Sequence, residues 1–439
     1  MHPHLPDIFN YAIRSVTPGV ILPFWIRRED NDVYVGETRL TPENTGRVAV
    51  VGAGKAAAAM GQTVEDILGD RIDTGIIVTK YDHALPLRIM ECLEAGHPIP
   101  DQHSREAGEK VLRLVESLSD PDLLILLISG GASALIFDLP PGIPFEHIQG
   151  LIDRLLRSGA DIHEMNTVRK HLSVNIKGGQ LARMAYPARI CNLVISDVPG
   201  DDLGTIASGP VSPDPTRFED AWSILEKYGQ IEKLPSALRD YWEAGRAGRI
   251  PETPKPGDPV FSQVSSHIIG NNHRCLEAAS ERARALGYEV IVLEEYLQGE
   301  ASVKARDLVR FISQQEKQKP WCVIAGGETT VTVRGTGKGG RNQEFALAAM
   351  DAFMNERPGF AVSFLAAGTD GTDGPTDAAG AFFDTTMIAR VREDQDDIND
   401  WLANNDAYAF FQKTGGLFIT GPTQTNVMDI LIAIIHAAS

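Results

Sequence analysis

The sequence predicts an α/β protein of two domains, the first built on a parallel sheet covered on both faces by helices, the second a smaller α/β domain. Three observations predict this. Apolar β-rich runs recur along the chain, they alternate with amphipathic or Ala-rich segments of helical spacing, and 439 residues exceed what one hydrophobic core usually serves. The runs are continuous rather than alternating, as strands buried on both faces require.

The strand candidates of the first domain are residues 47–54 (RVAVVGAG), 75–80 (GIIVTK), 122–129 (DLLILLIS) and 190–196 (ICNLVIS). Segments 55–67 and 104–117 between them have helical spacing, which makes a Rossmann-like βαβ series. Residues 245–258 (GRAGRIPETPKPGD) are rich in Pro and Gly without a period, so the chain is expected to divide near them into domains 1–250 and 251–439. Alternation then resumes with HIIGNN from His267, a helix through Ala285, EVIVLE from Glu289, a helix from Ser302, strands from Trp321 and Thr330, a helix from Asn342 and VSFLAAGTDG from Val362. A strand at 416–420 follows. An amphipathic stretch from Val427, read as a final helix, closes the chain.

A hydrophobic share of 43% and a charged share of 23% describe an ordinary soluble protein. The 41 Lys and Arg against 59 Asp and Glu give a net charge of −18, which repels nucleic acid and anionic membrane surfaces at long range. Anionic substrates must therefore be caught by a focused site. Cys92, Cys191, Cys275 and Cys322 are isolated, without a CxxC pair or a nearby His at metal-ligand spacing, so reduced thiols and a cytoplasmic location are expected. The start of the chain does not read as a secretory leader, and no apolar run approaches the roughly 20 residues of a membrane span.

In doubly wound sheets ligands sit at the carboxyl ends of the strands, so the residues after each apolar run carry the chemistry. The first such loop, VGAGKAAAAM, satisfies G-x-G-x-x-A through Gly52, Gly54 and Ala57, but the acid expected about 20 residues on is not placed, since Lys80 precedes Asp82. Lys55 stands where a pyrophosphate would approach, and a cation there suits a transferring phosphoryl group or a bound anion. The second loop, SGGASAL, sets Ser129, Gly130, Gly131 and Ser133 before a helix, where backbone amides suit a phosphate or carboxylate. Its G-A-S-A-L pattern lacks the second glycine of a nucleophile elbow. The stretch NTVRKHLSVNIKGGQLA (166–182) reads as a helix with Arg169, Lys170, His171 and Lys177, either a solvated basic face or, turned inward, part of an anion pocket.

Two acidic loops follow. SDVPGDD offers Asp197, Asp201 and Asp202, and AAGTDGTDGPTD offers Asp370, Asp373 and Asp377. Clustered carboxylates need water, a cation or a base to relieve their repulsion, and Mg²⁺ with a nucleotide is one such relief. The most chemically loaded segment is 326–344, GGETTVTVRGTGKGGRNQE, where glycines admit close approach of amides to phosphate oxygens and Arg334, Lys338 and Arg341 supply countercharge. Gly54, Ser129, Gly130, Gly131, Ser133, Lys338 and Gly340 are the candidate phosphate or substrate cradle, with Asp197, Glu328 and Asp370 as candidate metal contacts. These parts match the needs of phosphoryl transfer, although Walker and protein-kinase signatures are absent.

Together VGAGKAAAAM, SGGASALI, the 166–182 stretch, SDVPGDD with IASGP and PDPT, GGETTVTVRGTGKGGRNQE and AAGTDGTDGPTDAAG resemble the glycerate 2-kinase family, whose C-terminal part is called the MOFRL domain. The resemblance implies ATP-dependent phosphorylation of D-glycerate at its 2-hydroxyl, with Mg²⁺, in a cleft between a Rossmann-like domain and the smaller C-terminal domain. It places the family's essential lysine at Lys55, its arginine at Arg341 and the acid of SDVPGDD at Asp197. Lys55 and Arg341 are then expected to converge on the glycerate carboxylate or the transferred group, and Asp197 to orient or deprotonate the hydroxyl or to hold Mg²⁺. The expected partners are the small molecules D-glycerate and ATP, without nucleic acid or membrane, and the chain is expected as a monomer or homodimer. The competing enzyme class is an NAD(P)H-dependent hydroxypyruvate reductase, prompted by the G-x-G-x-x-A match, for which His171 is the one histidine with a plausible setting. An anion-sensing protein on the same scaffold is a third reading.

Overall fold

The apolar runs do become strands buried on both faces. The computed structural model describes residues 1–439 apart from 31, 37, 42, 316–319, 357–358, 395–396 and 438–439, and it forms two compact units. One comprises Leu22–Val194 and Gly200–Ile269, the other Met1–Ile21, Ile195–Pro199 and Gly270–Ser439. We call them the parallel-sheet unit and the mixed-sheet unit. The Pro- and Gly-rich stretch 245–258, where the sequence suggested a break, lies inside the former, whose chain runs on to Ile269.

The parallel-sheet unit opens with a three-stranded antiparallel sheet, β1 (Ile26–Glu29), β2 (Asp32–Val35) and β3 (Thr38–Leu40). Its main sheet contains β4 (Val48–Ala53), β5 (Thr74–Lys80), β6 (Glu91–Ala95), β7 (Leu123–Ile128), β8 (Arg189–Ile195) and β9 (Val264–Gly270), in the order β6-β5-β4-β7-β8-β9. The β6–β5, β5–β4, β4–β7 and β7–β8 pairs are all parallel. Every residue of β4 and of β7 is buried, which is why, Gly52 apart, these sequences are runs of Val, Ile, Leu and Ala. Renumbered from β4, the order is the 3-2-1-4-5-6 of dinucleotide-binding sheets, and the strand order reverses between β4 and β7.

Helices Ala57–Leu68 and Gln102–Glu116 connect the strands, the second started by an Asp101–Ser104 capping box. A separate helical core gathers Ile148, Leu151, Leu155, Val168, Leu172, Phe218, Leu225, Leu238 and Trp242. The expected helix across 166–182 is broken. Helix Ile162–Leu172 ends before Ser173, and Gln180–Ala185 begins after Gly178 and Gly179, both at positive φ.

The mixed-sheet unit contains β10 (Glu289–Val292), β11 (Leu297–Glu300), β12 (Trp321–Thr330), β13 (Phe360–Gly368), β14 (Gly380–Asp384), β15 (Leu417–Phe418) and β16 (Asp429–Ala437). Its order is β10-β12-β16-β13-β14-β15, with β11 pairing β12. The expected closing helix is instead the strand β16, antiparallel to both β12 and β13. Its ILIAII core is rich in Ile and buried throughout, so β-branching and burial on both faces outweigh any helical spacing. Helix Arg341–Glu356 packs on this sheet with Phe345, Phe364 and Phe383 stacked in series, at ring separations of 6.2 and 5.1 Å. The N-terminal helix His4–Ser15 belongs to this unit too, tied by the Asp7–Arg282 fork (2.7 and 3.1 Å).

Among the described residues no helix is long and apolar enough to cross a membrane. All four cysteines are free thiols, Cys92 half-buried and the others buried.

Candidate active site

The β4–β7 reversal brings the first two sequence motifs into contact. Adjacent parallel strands deliver both loops to the same sheet edge, where the Lys55 N–H donates to the Gly130 carbonyl at 2.9 Å and the Ala56 N–H donates to Ser129 Oγ at 3.0 Å. Gly54 has φ +134°, and a Cβ there would stand 2.1 Å from Ser129 Oγ and 2.5 Å from the Ser129 carbonyl oxygen. Only glycine permits this approach. Gly54, Lys55, Ser129 and Gly130 thus form one locked turn. Ser129, 1% exposed, helps hold the turn by accepting the Ala56 N–H at its hydroxyl oxygen.

Gly131 then caps a short helix, Ala132–Leu135, that carries Ser133. Ser133 Oγ lies 2.7 Å from Ser208 Oγ, which in turn donates to Asn166 Oδ1 at 3.1 Å. Lys177 Nζ donates to the Ser133 carbonyl at 2.8 Å. Burial pulls the Lys177 ammonium down to about 7, against the attraction of buried Asp138. Asp138 itself accepts from the Val174 and Asn175 amides at 2.7 and 2.6 Å, and burial raises its pKa. The basic residues of 166–182 therefore turn inward. Lys170 pairs with Asp214 at 3.4 Å, and His171 is buried between the Thr167 carbonyl (2.9 Å) and Glu252 (3.3 Å).

In the mixed-sheet unit, antiparallel pairing aligns the start of β16 with the ends of β12 and β13. Asp429 sits opposite Gly327 on one side and Gly368 on the other. Arg341, the first residue of its helix, meets this carboxylate as a fork, Nε–Oδ2 at 2.6 Å and Nη2–Oδ1 at 2.9 Å, and places Nη1 3.0 Å from Glu328 Oε1. Burial alone would lower the Arg341 pKa, but Asp429 and Glu328 raise it, so the guanidinium is permanently charged. Asn342 Nδ2 also donates to Asp429, at 2.9 Å.

Asp373 caps the same helix, accepting from the Asn342 and Gln343 amides at 3.1 and 2.8 Å. A Cβ on Gly340 would stand 2.3 Å from its carboxyl carbon, so the glycine preceding Arg341 makes room for the cap. Burial, reinforced by the charge of Asp429, lifts the Asp373 carboxyl to about 7. Asp197 belongs to this unit as well and accepts from Asn426 Nδ2 at 3.0 Å.

The glycine-rich loop after β12 is irregular, and residues 404–406 accept from its amides 334–338. The N–H groups of Arg334 and Gly335 donate to Asn405 Oδ1, that of Thr336 to Asn404 Oδ1, that of Gly337 to the Asn404 carbonyl and that of Lys338 to Asp406 Oδ1, at 2.7–3.1 Å. Lys338 is exposed and lies 4.6 Å over the Tyr408 ring. Residues 404–406 thus supply acceptors to the amides of 334–338.

The acidic loops disperse in the same way. Asp202 accepts from Thr205 Oγ1 at 2.6 Å, Asp370 from the Thr372 amide and hydroxyl at 3.0 Å each, and Asp377 from the Tyr408 hydroxyl at 2.7 Å. Among the described residues no three Asp, Glu, His or Cys side chains converge to hold a metal. Repulsion within each loop is relieved by amides and hydroxyls. Glu328 is engaged by Arg341, which makes it a charge partner first. Asp429 and Asn426 were not among the candidates read from the sequence. A lone acid at the mouth of an otherwise apolar strand, NVMDILIAII, was the available signal.

A parallel sheet of dinucleotide order with two glycine loops joined at its reversal, and a second sheet presenting a braced arginine, define the class of α/β protein to which the chain is compared. Residues 4–243 match the family described as a domain of unknown function, DUF4147, and residues 321–429 match the MOFRL family. A D-glycerate 2-kinase of Thermotoga maritima is 43% identical over 92% of this chain and 94% of its own. A glycerate 2-kinase of Pyrococcus horikoshii is also 43% identical, over 98% of both chains. The crystal structure of the Thermotoga maritima glycerate kinase superposes with a TM-score of 0.83 at 39% identity, covering 98% of each chain. The chain belongs to the glycerate 2-kinase family, with a DUF4147 region followed by a MOFRL region.

Proposed function

We propose that the chain transfers the γ-phosphoryl group of ATP to the 2-hydroxyl of D-glycerate, giving 2-phospho-D-glycerate and ADP. The observation that carries this reading is the joining of the Lys55 turn to the 129–133 loop at the strand-order reversal of a doubly wound sheet, in a member of this family. Phosphoryl transfer asks a protein chiefly for alignment and for charge placed where charge develops. Lys55 supplies a cation held by a rigid turn. Asp197, fixed by Asn426, orients the 2-hydroxyl and accepts its proton as the oxygen attacks phosphorus.

Arg341 binds the substrate anion through Nη1, which the partly exposed Glu328 otherwise occupies, while Asp429 holds the rest of the fork. The reading keeps ATP as the phosphoryl donor and brings Mg²⁺ in with it, since Mg²⁺ is usually held by phosphates and one or two carboxylates. Asp197, Glu328 and Asp370 are the acids proposed for that contact. The chain is proposed to act in the cytoplasm as a monomer or homodimer.

The test is ADP release coupled to NADH oxidation, with and without D-glycerate, followed by ³¹P identification of the product. Glycerate-dependent ADP and a 2-phospho product support the reading, and ADP release indifferent to glycerate defeats it. Hydroxypyruvate reduction needs an imidazole at the substrate carbonyl, whereas the His171 ring is fully buried between Thr167 and Glu252. Direct NADH oxidation by hydroxypyruvate in the absence of ATP would restore that alternative.

A further inference from the structure

A cavity of about 700 Å³ lies wholly within the parallel-sheet unit, beside the loop that follows β7. Gly131 and Ser133 form part of its wall, so it adjoins the strand-order reversal where the Lys55 turn is anchored. Its volume falls in the range of about 300–1,000 Å³ typical of small-molecule sites. Most of the lining is apolar, including Phe137, Phe145, Ile148 and Ile152, and the Phe137 and Phe145 rings meet edge to face at 5.6 Å. Ile99 and Leu156, 62% and 55% exposed, leave further apolar surface bare around it.

Two cations enter this apolar chamber, Arg169 and Lys177. Lys177 is 2% exposed and turns its ammonium to the Ser133 carbonyl. Arg169 is mostly buried, and among the described residues its guanidinium has neither an ion pair nor a hydrogen bond; burial lowers its pKa. The remaining charged groups of the lining, Glu146, Asp153 and Arg157, are exposed to solvent. A buried guanidinium without a counter-ion is costly, and an anion entering the cavity would offset that cost.

We propose that this cavity is the nucleotide site, with the adenosine moiety against the apolar and aromatic wall and the phosphates directed to Arg169, Lys177 and the loop carrying Gly131 and Ser133. The proposal rests on the kinase reading and adds to it the location of the donor. D-Glycerate, with three carbons each bearing oxygen, has no apolar surface to set against Phe137 or Ile148. A nucleotide has both a flat base and a polyanionic tail.

Calorimetric titration of ADP and of adenosine into the full chain, without glycerate, tests this. Arg169→Gln should weaken ADP about tenfold or more, the loss of one charge-assisted contact, and leave adenosine nearly unchanged. Ala134→Trp, which fills the cavity from its wall, should weaken both ligands. The KM for ATP should rise in each variant, with the KM for D-glycerate within about twofold of the parent. Unaltered ADP affinity in the cavity-filled variant, with native circular dichroism, overturns the proposal, as does a rise confined to the glycerate KM. A wild-type chain that releases no ADP in response to glycerate defeats the kinase reading instead, while the ADP titrations still report on the cavity.

Discussion

Replacing Asp429 by Asn isolates what braces Arg341. The Asp429 side chain is 3% exposed and accepts three hydrogen bonds, two from the Arg341 fork at 2.6 and 2.9 Å and one from Asn342 at 2.9 Å. Asparagine retains one acceptor oxygen, which can still serve Nη2 and Asn342, but it turns an NH₂ toward the Arg341 Nε–H. One charge-assisted bond, worth about 1.5–3 kcal/mol, is lost, and a mostly buried guanidinium keeps Glu328 as its ion-pair partner. We expect a total cost of about 3 kcal/mol, the lower end of what stripping a partner from a buried pair incurs. That corresponds to roughly a hundredfold or more in the opening equilibrium.

Amide hydrogen exchange along the β12–β16 pairing reads this locally. The amides near Gly327 and Asp429 should exchange at least about a hundredfold faster than in the parent, with those of β4 and β7 unchanged. If glycerate uses the remaining Nη1, its KM should also rise. Protection lowered by less than about 1 kcal/mol, with the KM unaltered, would refute the idea that Asp429 sets the guanidinium, since a lost charged bond alone exceeds that figure.

Three further outcomes are expected. Lys55→Ala should lower kcat by about 10²–10³, the scale of removing one preorganised charge-stabilising group, while circular dichroism stays native; near-normal turnover would remove Lys55 from the chemistry. Gly54→Ala drives a Cβ into Ser129 at 2.1 Å and should cost about 3 kcal/mol or more by urea unfolding, with Ser129→Ala recovering only part because the Ser129 carbonyl oxygen at 2.5 Å remains. Asp373, raised to about 7 from an unfolded value near 3.9, binds more protons folded than unfolded between those pH values. Its contribution to stability is therefore full below about pH 4 and is lost as the pH rises through 7, and Asp373→Asn should flatten that part of the stability profile.

The architecture was legible wherever one physical requirement dominates a segment. Strands β4 and β7 read correctly because a strand covered on both faces must be apolar throughout, and the GAGK and SGGAS loops read as partners of a sheet edge because they follow such strands. The last strand escaped, since a short apolar run ending a chain looks alike as helix or strand until its neighbours on both sides are known. The break in 166–182 also escaped: the stretch read as one helix, with Gly178 and Gly179 within it rather than at a boundary. What remained hidden was the side-chain bookkeeping. From sequence, Asp197, Asp370 and Asp373 look alike; in the fold one accepts from Asn426, one closes its own turn and one caps a helix.

The same bookkeeping separates the two kinds of cation in this protein. Arg341 is matched by Asp429 and Glu328, so the fold fixes its position without substrate, and its value to catalysis lies in a charge whose orientation need not reorganise. Arg169 has no carboxylate partner among the described residues, so the fold bears a cost that a ligand can relieve, and its value lies in binding. In the glycine-rich loop after β12, by contrast, residues 404–406 supply oxygens to the amides of 334–338. What marks the cavity beside β7 is an unsatisfied donor: the mostly buried Arg169 guanidinium has neither an ion pair nor a hydrogen bond among the described residues, a demand that an anion can answer.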